Sequence, residues 1–175
     1  SKKRRTIYLS PKGAVFNQQK AIELAEMDHL ILLCGHYEGV DQRVLDEVID
    51  EEISLGDFVV TGGELAACAV IDAVARLLPG VLPNEEAYRQ ESHMSGVLEH
   101  PQYTRPAVWR ERAVPEVLLS GHHARIQKWQ ELTSLVETCQ KRPDLFDKLK
   151  LDEKTYAEIA ALLAAEADSP ARNDE

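Results

Sequence analysis

Apolar and polar positions along the first 82 residues alternate between short apolar runs and longer stretches of helical spacing. Residues 6–10 read as a strand stopped by Pro11-Lys12-Gly13. Residues 17–25 predict a helix, with Ala21, Ile22, Leu24 and Ala25 on its apolar side. Residues 29–34 (HLILLC) form a continuous apolar run ending at Gly35, the pattern of a strand buried on both faces. Residues 41–50 alternate acids with Val44, Leu45, Val48 and Ile49 at helical spacing. A third strand is predicted at residues 58–60, between the glycine-containing turns 54–57 and 61–64. It is followed by a helix from Glu64 to Leu78 that Pro79-Gly80 closes. Strands alternating with helices predict an α/β domain with a parallel sheet. Ligands of such sheets sit where loops converge at the carboxyl ends of the strands, here residues 10–13, 35–39 and 61–63.

Residues 83–101 are polar, aperiodic and bracketed by prolines, and read as a linker. A helical region follows, with helices expected at 124–138 and, after Arg142-Pro143, at 152–167. Residues 169–175 are expected to be disordered. The expected organisation is a sheet domain (1–82), a linker (83–101) and a small helical C-terminal domain (102–175), with no internal repeats.

Composition narrows the class. At 175 residues, 44% hydrophobic and 29% charged, the chain is that of a globular protein. No apolar run reaches the roughly 20 residues of a membrane span, and residues 1–5 (SKKRR) are no secretory signal. Cys34, Cys68 and Cys139 are odd in number, far apart and in apolar or helical surroundings, which predicts reduced, buried thiols in a cytoplasmic protein. A net charge of −10 argues against nucleic acid, but the charge is unevenly placed. Residues 41–64 carry eight acids against Arg43, whereas residues 100–150 carry nine Lys/Arg against six acids. With Lys2, Lys3, Arg4 and Arg5 this gives two basic regions on an acidic chain; solvated helix faces explain each cluster as well as a polyanionic partner does.

Candidate chemistry is sparse at this level. Ser10 and Ser120 lack a nucleophile elbow, and adjacent His122-His123 diverge on any regular element, so no metal site is expected. Glycines crowding residues 54–63 suit either a pocket lined by main-chain groups or turns that serve packing alone. Arg76 lies four residues after Asp72. It reads either as half of an intrahelical pair or as a cation placed for developing negative charge. Glu91 and Glu99 are candidate general bases, and solvated loop glutamates otherwise.

Five segments together resemble the bacterial tRNA (guanine-N1-)-methyltransferase family of the SPOUT superfamily. They are Tyr8-Leu9-Ser10-Pro11, Cys34-Gly35-His36-Tyr37-Glu38-Gly39-Val40-Asp41, residues 53–80, His100-Pro101-Gln102-Tyr103-Thr104-Arg105-Pro106, and Val117-Leu118-Leu119-Ser120-Gly121-His122-His123. The resemblance implies methylation of N1 of the guanine 3′ of the anticodon (position 37), with S-adenosyl-L-methionine bound in a deep trefoil knot. True knots are almost absent from known folds, so that expectation comes from the resemblance alone. It places the cofactor on Leu9, Ser10, Pro11, Gly35, Tyr37, Glu38, Gly39, Ser54, Leu55, Gly56, Asp57, Phe58, Val59, Val60, Gly62 and Gly63. It also implies a homodimer whose active site joins one subunit's knot to the other's linker and C-terminal domain, and an association with magnesium.

Guanine N1 is protonated at neutral pH, so a base must take its proton, while charge develops on O6. Arg76 matches the family's arginine for that charge. Glu91 stands where the family has an aspartate base, one methylene longer, with Ser92 beside it. The resemblance further assigns Ser92, Glu99, Arg105 and His122 to the tRNA anticodon arm and gives the basic stretch a partner, with Arg105, Arg110, Arg125 and Lys128 as phosphate contacts. Family members carry a first strand and a glycine-rich loop ahead of the YLSP motif, and this chain begins close to that motif. The expectation is a chain that folds and dimerises, with weakened cofactor binding and low or absent tRNA methylation. The rival readings are another SPOUT RNA methyltransferase and a non-catalytic RNA-binding domain.

Overall fold

The computed structural model describes residues 3–37, 39–83 and 91–167; Glu38 and residues 169–175 lie outside them. The chain divides into two compact units, Ser1–Arg89 and Gln90–Glu175.

The first unit is a mixed α/β fold around a three-stranded parallel sheet of order β2-β1-β3. β1 (Arg4–Val15) is central, β2 (His29–Cys34) pairs along its first half and β3 (Glu51–Ser54) along its other edge. Helix α1 (Gln18–Ala25) starts where Asn17 accepts a hydrogen bond from the Lys20 N–H at 2.9 Å, the usual N-cap arrangement. Helix α2 (Gln42–Val48) is capped in the same way by Asp41. Helices α1 and α3 (Glu64–Ala75) pack against each other over one face of the sheet. They bury Ile7, Leu9, Ala21, Leu24, Ile53, Ala66, Ala67, Val70 and Val74.

Five sequence expectations are corrected. The thiols are not all buried: Cys68 is exposed on the outward side of α3, and Cys34 and Cys139 are half-buried. β1 does not stop at Ser10: Leu9 and Ala14 both lie opposite Ile53, so residues 10–13 leave the ladder and the strand then resumes. Gly13 makes the return possible, because a Cβ there would fall on the Glu52 and Ile53 backbone. The third strand is residues 51–54, not 58–60. Its glutamates hide it from an apolar pattern, and Arg5 and Lys20 neutralise Glu51 at 3.0 and 2.9 Å. β2 is a sheet edge and not buried on both faces, with Ile31 46% exposed. Finally, α3 ends at Ala75 with Arg76 as its C-cap. The Leu77 and Leu78 amides then bond to carbonyls three residues back, the tightened exit expected shortly before Pro79.

The second unit is mainly helical: α4 (Glu116–Leu119), α5 (His123–Lys141), α6 (Pro143–Phe146) and α7 (Glu153–Ala167). Helix α5 packs against the other three, with Val136, Thr138 and Ile159 buried and the Phe146 and Tyr156 rings edge to face. A hairpin of β4 (Val108–Trp109) and β5 (Arg112–Ala113) precedes them; its residues had not read as strands. Among the described residues no helix is long and apolar enough to cross a membrane.

Candidate active site

The order β2-β1-β3 forces the chain to cross over β1 between its second and third strands. That reversal is where open α/β sheets leave a crevice at the carboxyl ends of their strands. A cavity of about 310 Å³ lies there, at the lower end of the roughly 300–1,000 Å³ typical of small-molecule pockets. Its wall comes from the excursion of β1 (Leu9, Ser10, Pro11, Lys12), the loop after β2 (Gly35, His36, Tyr37, Gly39) and the segment joining β3 to α3 (Leu55, Phe58, Val59, Val60, Gly62, Gly63).

The three wall segments are held by main-chain contacts. The Gly63 N–H donates to the Gly35 carbonyl at 3.3 Å, and the Phe58 N–H donates to the Gly56 carbonyl at 2.9 Å. A Cβ on Gly63 would sit 2.9 Å from the Cys34 Cα, and one on Gly35 2.7 Å from the Tyr8 hydroxyl. Glycine therefore lets the loop after β3 close onto the end of β2. The Ser54 hydroxyl both accepts the Gly56 N–H and donates to the Gly56 carbonyl, so it shapes the turn. Phe58 and Val59, exposed at 57% and 82%, give the wall an apolar side, so residues expected as a strand border the crevice instead. Tyr37, at a left-handed φ of 53°, lies against His36 with ring centroids 4.7 Å apart and planes tilted by 45°. Burial, then the Glu64 carboxylate, pushes the Cys34 thiol above its ordinary pKa, which favours the thiol over the nucleophilic thiolate.

All the cofactor positions taken from the resemblance line this cavity, except Gly56 and Asp57, which lie beside it, and Glu38, outside the described residues. Tyr8, Lys12, His36 and Thr61, within the motifs and loops expected there, also line it, as do Gln42 and Glu52, which no sequence signal marks. Tyr8 and Glu52 are in register across β1 and β3, a signal available only once the third strand is placed at 51–54.

The remaining candidates divide between the units. Arg76 caps α3 in the first unit and is half-buried. In the second, the Ser92 hydroxyl accepts the Glu99 N–H at 2.9 Å and the Glu99 carboxylate accepts from Gln102 at 2.8 Å. This closes a loop that brings Glu91, Ser92 and Glu99 together. Thr138 anchors the loop to α5: its hydroxyl accepts the Leu98 N–H at 2.8 Å and donates to the Ser134 carbonyl at 2.6 Å. Arg105, Arg110, Arg125 and His122 are exposed, the last as N-cap residue of α5 without a side-chain cap bond. Lys128 is engaged with Glu158 at 2.9 Å.

A parallel α/β unit with a glycine-shaped crevice at its strand ends has the architecture in which open sheets take small ligands. Residues 1–148 match the tRNA (Guanine-1)-methyltransferase TrmD family, and the chain belongs to that family. It is 60% identical over 147 residues to a tRNA (guanine-N(1)-)-methyltransferase of Ruminiclostridium cellulolyticum, covering 84% of this chain and 63% of that protein. Like-named proteins of Alkaliphilus oremlandii and Dehalococcoides mccartyi are 56% and 54% identical, over 86% and 89% of this chain and 60% and 64% of theirs. The chain thus spans about three-fifths of the length of the curated relatives it matches.

Proposed function

We propose that this chain holds S-adenosylmethionine in the first unit's cavity and serves methylation of N1 of the guanine 3′ of the tRNA anticodon. The observation that carries the reading is that the family's cofactor motifs, scattered over residues 9–63, converge on one cavity wall. The wall suits the cofactor chemically. Phe58, Val59 and Val60 offer apolar cover for a purine, and glycine-flanked main chain offers hydrogen bonds to its edge and to a ribose. When bound, S-adenosylmethionine supplies an electrophilic methyl group.

The chain's own residues manage the proton and the charge. Glu91 takes the N1 proton of guanine, and Arg76 faces the negative charge that develops on O6. Arg76 and Glu91 belong to different units, and the chain works as a homodimer in which a second copy completes each site. Leu65, Cys68 and Ile71, exposed on the outward side of α3, supply an apolar surface for that copy. A knot follows the same reading. From β3 the chain passes the end of β1 to reach Gly35 after β2, on the far side of the sheet.

The test is transfer of labelled methyl from S-adenosylmethionine, with protein in excess, to tRNA transcripts carrying guanine or adenine 3′ of the anticodon. Slow, guanine-dependent labelling is expected; labelling indifferent to that base contradicts the reading. Glu91→Gln is expected to lower the single-turnover rate about 10²- to 10⁴-fold, and a near-normal rate removes Glu91 as the base.

A further inference from the structure

The hairpin 108–113 carries an exposed aromatic and two cations that, among the described residues, are in no ion pair, on a strained turn. The Ala107 carbonyl accepts the Val114 N–H at 2.8 Å, Val108 pairs with Ala113 and Trp109 with Arg112, leaving Arg110-Glu111 as a two-residue loop. Both loop residues have positive φ, 46° and 65°. Such turns favour Asn-Gly because a side chain at positive φ crowds its own backbone. Here the strain is kept and an arginine is placed at the tip.

The arginine lies over the Trp109 indole, 4.8 Å from the ring centroid, and the indole is 55% exposed. Trp129, the chain's other tryptophan, is instead half-buried between His100 and Tyr103. Arg112 is the cross-strand neighbour of Trp109, on the same face of the hairpin. Among the described residues neither Arg110 nor Arg112 is in an ion pair, although Arg5, Arg43 and Arg142 all are. An exposed ring stacked with a guanidinium, next to a second unpaired cation, is the arrangement that takes an unstacked nucleobase and its phosphates.

We propose that Trp109 and Arg110 form a stacking platform for an unpaired base of an RNA loop, with Arg112 on a neighbouring phosphate. The inference rests on the RNA-modifying reading above and specifies a contact within it. Neither residue touches the reacting guanine; they position the loop.

The test uses the 175-residue chain and a short RNA hairpin with an anticodon stem and loop, against a blunt duplex of the same stem. In a Trp129→Phe background, Trp109 emission is expected to be quenched saturably by the hairpin and not by the duplex. Trp109→Ala is expected to weaken hairpin binding about 5- to 150-fold, and Trp109→Phe to retain most of the affinity. The double substitution Arg110→Asn/Glu111→Gly relaxes the turn. It is expected to hold or raise Tm while weakening hairpin binding severalfold, which separates lost contact from lost folding. Unchanged affinity in Trp109→Ala and the double variant overturns the platform and leaves the methyltransferase reading standing. Failure of the unaltered chain to bind the hairpin overturns both. A loss of self-association in Trp109→Ala, with RNA binding intact, makes the face a protein contact and also overturns the platform.

Discussion

Gly63 is a glycine required by space. Its φ of −74° and ψ of −8° suit any residue, but a Cβ would meet the Cys34 Cα at 2.9 Å and Cβ at 3.1 Å. Cys34 is held in register by Leu9, so its backbone cannot yield cheaply. Gly63→Ala is expected to cost about 1–3 kcal/mol in urea unfolding and to weaken cofactor binding; unchanged stability contradicts the packing argument. Charge at the residue scale has its own signature. The Lys20 ammonium, then the Arg5 guanidinium, holds the Glu23 carboxyl below its ordinary value of 4.5. A depressed native pKa adds stability above the ordinary value and loses it as pH falls through the native one. Tm is therefore expected to drop below about pH 4.5, and Glu23→Gln to flatten part of that fall. An identical acid limb in the variant removes Glu23 from the account. The glycines around residue 60 were visible in the sequence, but whether they served a turn or a close approach was not. That depended on Cys34, twenty-nine positions away.

Among the elements, those with local signals were legible. Asn17 and Asp41 cap their helices as their types suggest, and the apolar run 29–34 is β2 to the residue. β3 was not legible, because the charge of Glu51 is answered by Arg5 and Lys20 from far along the chain. The hairpin 108–113 was missed for a related reason: its Arg-Glu turn lacks the Asn-Gly signal. The loop bearing Glu91 and Glu99 depends on one buried hydroxyl, since Thr138 is fully buried and holds the Leu98 N–H. Thr138→Val is expected to cost about 1–3 kcal/mol and to speed Leu98 amide exchange, while Thr138→Ser keeps both near normal. Equal exchange in all three proteins contradicts that anchoring.

For the whole molecule, the net charge of −10 pointed away from RNA, and only its distribution pointed back. The α/β class followed from element alternation, whereas the convergence of residues 9–63 on one cavity needed the crossing of the chain over β1. The outward apolar side of α3, with Leu65 70% and Ile71 55% exposed, is expected to seat a second copy. Sedimentation is expected to give twice the 19.6 kDa chain mass, and Leu65→Glu with Ile71→Glu a monomer; a monomeric unaltered chain at all concentrations contradicts the shared site. The central claim is that the cavity at the strand ends holds S-adenosylmethionine. Calorimetric titration of that cofactor into the 175-residue chain tests it most directly. The expected result is saturable binding at one site per chain, lost when Val60 on the cavity wall is changed to Asp without change in circular dichroism. A folded chain that takes up no cofactor, or a Val60→Asp variant that binds it equally well, contradicts the claim.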